Sequence, residues 1–188
     1  MSNANTDQNW FNNKYSKRKE SITELKISDK DLTSPLKIDG FMILVTINLT
    51  NLKFTSLKIS NCSQLTEISL SELTLSESTL SQPTSNLEIS RCSKLVKVKL
   101  SKCRIKRFFV SDCPKLTKLD CPRSGLTELD INNLIELDCS GNKIKNLNLN
   151  LCPEITTLNC SDNELNTLEI SNCPKLEILN CHNNQQLP

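Results

Sequence analysis

From residue 22 onward, apolar residues return in a fixed order every 21 residues. Within each unit they fall at positions 1, 4, 6, 11, 14 and 16. Position 4 reads Leu25, Ile47, Ile68, Val98, Leu119, Leu137, Leu158 and Leu179. Position 14 reads Leu36, Leu57, Leu87, Phe108, Leu129, Leu147 and Leu168. The pairs 4/6 and 14/16 alternate with polar residues, as in a strand with one buried face. No unit holds a 3.6-residue period long enough for a helix. Two short strands per unit are expected, near positions 3–7 and 13–17.

Eight units tile the chain: 22–43, 44–64, 65–94, 95–115, 116–133, 134–154, 155–175 and the partial 176–188. One unit cannot bury its own apolar face. Stacked units can, because each strand pairs with its counterpart one rung away at about 4.8 Å. Identical positions then lie above one another, which demands parallel strands. Eight rungs make a rod about 35–40 Å long on that spacing.

The ten cysteines fall on this grid. Cys121, Cys139, Cys160 and Cys181 occupy position 6, where other units carry Ile27, Leu49, Leu70 and Leu100. Cys62, Cys92, Cys113, Cys152 and Cys173 occupy position 19, and Cys103 occupies position 9. Cysteine here reads as a small buried hydrophobe. Position 9 elsewhere holds Asn142, Asn163 and Asn184, whose amides can satisfy backbone groups across rungs.

The motif LxxLxCSxNxLxxLxISNCPx of residues 155–175 resembles leucine-rich repeats of the 21-residue IRREKO class. The resemblance covers residues 22–188. It implies a right-handed repeat solenoid, strand-dominated but horseshoe-like, with parallel sheets on one or both sides. It also implies protein recognition. Rungs 1 to 3 depart from the motif by lacking the Asn at position 9. Rung 3 carries nine extra residues, and rung 5 lacks three.

Residues 1–21 stand outside the repeat. Trp10, Phe11 and Tyr15 lie on roughly one helical face, with Asp7 as an N-cap. A short helix is expected over the open end of rung 1. At the other end the chain stops partway through a rung, so a bare edge is expected there, with edge-mediated self-association as its hazard. The chain also reads as one part of a longer protein. The Ser-rich stretch 71–85 is expected to bulge outward as a loop, with phosphorylation as the minority alternative.

Composition excludes several functions. Three glycines argue against phosphate-cradling loops. No CxxC pair exists, and the sole histidine, His182, neighbours Cys181 on a strand and should face away from it. No metal, cofactor or catalytic residue is expected. The N-terminus has no apolar run, no segment is long enough to span a membrane, and a glycan at Asn159 would intrude on the stack. A cytoplasmic protein with reduced thiols is the expectation.

Charge is uneven. Residues 91–118 carry ten basic side chains against Asp112, a net +9. With the whole chain at +2, the remainder sums to −7. Lys97, Lys99 and Lys118 should project from the first sheet, and Arg107 and Phe109 from the second. With Lys102 they are the candidate partner-binding residues. A non-enzymatic scaffold for protein–protein interaction is expected, its unknown partner presenting an acidic surface. The alternative is an anionic ligand, nucleic acid or phosphoinositide, bound by the same basic rungs. Nucleic acid fits less well, because stacking aromatics are missing.

Overall fold

A computed structural model describes residues 6–32, 34–75, 86–185 and 187. The chain forms a parallel β-solenoid capped by one short helix. The first sheet has nine strands, one in line from each of eight rungs and Thr74–Leu75 of rung 3 beside them. The eight in line are Glu24–Asp31, Thr46–Phe54, Glu67–Ser71, Lys97–Ser101, Lys118–Asp120, Glu136–Asp138, Thr157–Asn159 and Ile178–Asn180. The second sheet takes Leu36–Asp39, Leu57–Ser60, Asn86–Ser90, Arg107–Ser111 and Glu128–Leu129. A separate pair, Asn146–Leu147 with Thr167–Leu168, extends the same side of the molecule.

Register follows the repeat. Leu25 lies beside Ile47, Ile47 beside Ile68, Val98 beside Leu119, and Leu137 beside Leu158. On the second sheet Leu57 lies beside Leu87 and Leu87 beside Phe108. The expected position-3-to-7 and 13-to-17 strands are met in full by Lys97–Ser101 and Arg107–Ser111. The inward residues of both sheets form one continuous core containing nine of the cysteines. Leu179 departs from its column. It is 40% exposed, on the last strand of the first sheet.

Rung corners depend on a backbone state the hydrophobic pattern did not reveal. Position 8 has positive φ in every rung, at Asp29, Asn51, Glu72, Lys102, Arg123, Gly141, Asp162 and Asn183. In this left-handed conformation the N–H points along the stack. Glu72 donates to Ser101 O (2.9 Å), Arg123 to Ser140 O (2.8 Å) and Gly141 to Ser161 O (2.9 Å). The corner thus continues the ladder around the bend instead of leaving backbone donors unpaired. A second such column, Gly40, Asn61, Arg91, Asp112 and Asn133, closes the second sheet. At Gly141 φ is +66°, and an added Cβ would lie 2.7 Å from Cγ of the Arg123 side chain, which would have to shift to admit it.

The expected cap is present. Helix α1, Thr6–Tyr15, continues into a 3₁₀ turn at Ser16–Arg18. It starts one residue before Asp7, so Asp7 sits in the first turn, where its Oδ2 accepts from Ser34 N and Oγ (3.0 and 2.9 Å). Phe11 is fully buried against Phe41 and Tyr15. Gln8 completes the edge of the second sheet: its Oε1 accepts from Lys37 N (2.7 Å), and its Nε2 donates to Lys37 O (3.0 Å). Of the stretch 71–85, the first residues belong to the rung itself. Leu73 is buried, and Thr74–Leu75 pairs with Lys53–Phe54. The rest of the expected bulge, 76–85, lies outside the described residues.

Candidate functional site

The six candidate residues divide between two faces. Lys97, Lys99 and Lys118 stand half-buried on the outer face of the first sheet, at positions 3 and 5. Lys102 sits at the corner, exposed. Arg107 and Phe109 point outward from the second sheet, and Phe109 is 42% exposed. The core lies between the two groups, so they cannot contact one small ligand together.

Most of these cations meet acids from adjacent rungs. Lys99 pairs with Glu67 (3.1 Å), Lys118 with Glu136 (2.5 Å), Lys102 with Glu72 (3.7 Å) and Arg107 with Glu128 (3.4 Å). Glu67 holds the Lys99 ammonium above its ordinary range. The excess of positive charge in rung 4 is therefore neutralised in part by rungs 3 and 5. Only stacking reveals this, since the partners are 18 to 32 residues apart in sequence.

On the first sheet these side chains border a shallow concavity of about 340 Å³, lined by Lys97, Lys118, Asp120, Glu136, Asp138 and Asn159 among others. Asp120 and Asp138 lie in register on neighbouring strands. Burial first, then the Asp138 charge, pushes the Asp120 carboxyl up. Asp138 is held by Ser140, whose N–H and hydroxyl both donate to its Oδ1 (2.9 and 2.7 Å).

The second sheet offers a larger feature. Its ladder ends at Glu128–Leu129 and resumes at Asn146–Leu147. The interruption coincides with rung 5, the unit of 18 residues. A notch of about 600 Å³ opens there, lined by Arg107, Phe109, Thr127, Glu128, Asp130, Lys143, Lys145 and Glu164 among others. Lys143 and Lys145 were not among the sequence candidates. What singles them out is the break in the ladder of the second sheet, which the repeat pattern does not show.

The thiols are poorly suited to nucleophilic work. Burial pushes Cys103 to about 11 and Cys160 to about 12, and it pushes Cys121 and Cys139 up as well. Cys62 alone is lowered, because the Cys92 thiol hydrogen-bonds to it. Cys62 itself is buried, its Sγ donating to Ser60 O (3.3 Å). His182 is exposed beside Asn180 and Asp162. Among the described residues no three His, Cys, Asp or Glu side chains converge as a metal site requires. Among them, too, no helix is long and apolar enough to cross a membrane. Fold and surface define a strand-dominated repeat solenoid. No family model matches the chain, and no curated protein matches it.

Proposed function

We propose that the chain is a non-enzymatic leucine-rich repeat module that presents side chains to a protein partner. The observation carrying this reading is the register. Equivalent residues of successive rungs stand side by side on fixed strands, so one flat face offers Lys97, Lys118 and Glu136 in sequence along the stack. Rigid presentation lowers the ordering cost of binding. Ten unpaired thiols support a reducing, cytoplasmic setting.

The alternative, a polyanion held by the basic rungs, is weakened by the ion pairs at Lys99, Lys102, Arg107 and Lys118. Each pair would have to be exchanged for a phosphate contact. The test is affinity capture with the folded chain, read by mass spectrometry. Reversing Lys97, Lys99 and Arg107 to Glu, together with Phe109→Ala, should abolish capture of a specific protein. Retained capture by that variant sinks the choice of residues. Capture of nucleic acid or anionic vesicles with steep salt dependence would replace the reading with the alternative.

A further inference from the structure

We infer that Cys62 is an oxidation site for a small hydroperoxide, with Cys92 as the thiol that resolves it into a disulfide. The modification goes beyond the interaction reading and needs no partner on the charged faces.

Geometry sets this pair apart. The turn closing the second sheet carries Phe41, Cys62, Cys92 and Cys113 along the stack, each two residues past the register Asp39, Ser60, Ser90 and Ser111. The three thiols point the same way. Cys62 Sγ donates to Ser60 O (3.3 Å), Cys92 Sγ to Ser90 O (3.4 Å) and Cys113 Sγ to Ser111 O (3.3 Å). Backbone bonds hold the rungs in step there: Asn61 N donates to Ser90 O (3.2 Å), and Arg91 N to Ser111 O (3.1 Å). Neighbouring cysteines therefore stand one strand spacing apart, about 4.8 Å, inside the roughly 4.4–6.8 Å Cα window of a disulfide. Their thiols also hydrogen-bond to one another in a row. In the first-sheet column burial dominates instead, and it pushes Cys121, Cys139 and Cys160 up.

Place in the row decides which sulfur attacks. Cys62 has the Cys92 thiol on one side and Phe41, with its backbone N–H, on the other. Beyond Phe41 stands Lys19, whose ammonium lies 5.2 Å from the ring centre and donates to Asp39 O (2.6 Å). The Cys92 donor first, then the Phe41 N–H and the Lys19 charge, hold Cys62 below the ordinary thiol range, against burial and the Asp39 carboxylate. Asp39 is itself engaged by Ser60 Oγ (2.6 Å) and Asn61 Nδ2 (2.8 Å). Donors that stabilise the sulfur anion raise the fraction of thiolate, the form that attacks. Cys92 is pushed to about 11, so it keeps its proton until it resolves the intermediate. Cys62 is buried but lies one residue from exposed Asn61. A local opening of this corner admits a molecule little larger than water and excludes a bulky aromatic reagent.

The Cys62 thiolate attacks one peroxide oxygen and the O–O bond breaks. The leaving oxygen takes the proton that Cys62 gave up and departs as water. Cys62 is then a sulfenic acid. The Cys92 sulfur attacks the Cys62 sulfur, and the S–OH group leaves with the Cys92 proton as a second water. One hydrogen peroxide is reduced to two waters, and two thiols are oxidised to one disulfide. The link joins rung 2 to rung 3 across the nine-residue insertion.

The test uses the whole reduced chain at neutral pH. Hydrogen peroxide is added, remaining thiols are blocked with N-ethylmaleimide in urea, and disulfides are mapped by mass spectrometry. The Cys62–Cys92 link should form first. Cys62→Val should slow disulfide formation about fivefold or more, and Lys19→Gln about twofold or more. Cys139→Val, in the other column, should leave the rate unchanged. Cys92→Val should leave a sulfenic acid at Cys62 that dimedone traps. Circular dichroism checks that each variant is folded. A first disulfide at any other pair, or a Cys62 that stays reduced in the folded chain, overturns the proposal. So does consumption of all ten thiols together at the rate of global unfolding.

Discussion

Position 9 changes chemistry along the stack, from Leu52 and Leu73 through Cys103 and Ser124 to Asn142, Asn163 and Asn184. All are buried. Where the residue is Leu, the strand of rung 2 runs on to Phe54 and the backbone pairs with its neighbours. Where it is Asn, the strands shorten to three residues and the amide takes over the backbone's bonds. Asn142 Nδ2 donates to Cys121 O (2.9 Å) and Cys139 O (2.8 Å), while its Oδ1 accepts from Ser124 N and Leu126 N (both 3.0 Å). One side chain thus ties two rungs. Cys103 and Ser124 are partial substitutes, each a single donor shared between two carbonyls. Truncation of Asn142 would orphan two buried N–H groups. Asn142→Ala should therefore cost about 2–4 kcal/mol in urea unfolding. A loss below about 0.5 kcal/mol, the size of a typical surface change, would show that the amide bonds are dispensable.

Elements show how far pattern carries and where it stops. The alternation at positions 4/6 and 14/16 placed both sheets, their parallel sense and the residue opposite each residue, because burial of one face fixes register. The cap was legible from three aromatics outside the repeat. The corners were not. Glu72, Lys102, Arg123 and Arg91 carry no turn signal, yet they adopt positive φ because the stack demands an N–H there. The pairing of basic rung 4 with acidic neighbours was equally hidden, being a property of stacking. The notch was hidden too: the positions rung 5 lacks fall at its end, whereas the residues of that rung that line the notch, Thr127 to Asp130, come earlier. For the cap, packing and hydrogen bonding predict different phenotypes. Phe11→Ala removes a fully buried ring and should destabilise by about 3–5 kcal/mol. Gln8→Ala should cost far less, about 1–2 kcal/mol, but it uncovers Lys37 N–H and C=O on the edge of the second sheet. It should raise concentration-dependent self-association in sedimentation velocity. A Gln8→Ala chain that stays monomeric at high concentration would deny the amide that protective part.

At the scale of the molecule, the buried cysteines couple stability to pH. Burial keeps the thiols of Cys103, Cys121, Cys139, Cys152, Cys160 and Cys173 protonated beyond their ordinary range. Cys92 is pushed to about 11 within its hydrogen-bonded column. Unfolding returns these groups to about 8.5. Below that value both states hold their protons and the thiols leave stability independent of pH. Above it the unfolded chain loses protons while the folded chain keeps them, so stability falls as pH rises toward the folded values. Lowered Cys62 opposes this alone. The urea midpoint should therefore hold steady from about pH 6 to 8 and decline from about pH 8.5 to 10. Cys139→Val and Cys160→Val together should flatten the decline, since aliphatics already occupy that column at Leu49, Leu70 and Leu100. A thiol-reactive chromogen at pH 8 supplies the parallel readout. Half-buried Cys181 should react first, and the nine buried thiols only as the stack unfolds. Rapid modification of several thiols in the native chain, or a midpoint unchanged from pH 8 to 10, would mean that the sulfur columns are open to water, and the dry seam holding the rungs together would have to be sought elsewhere.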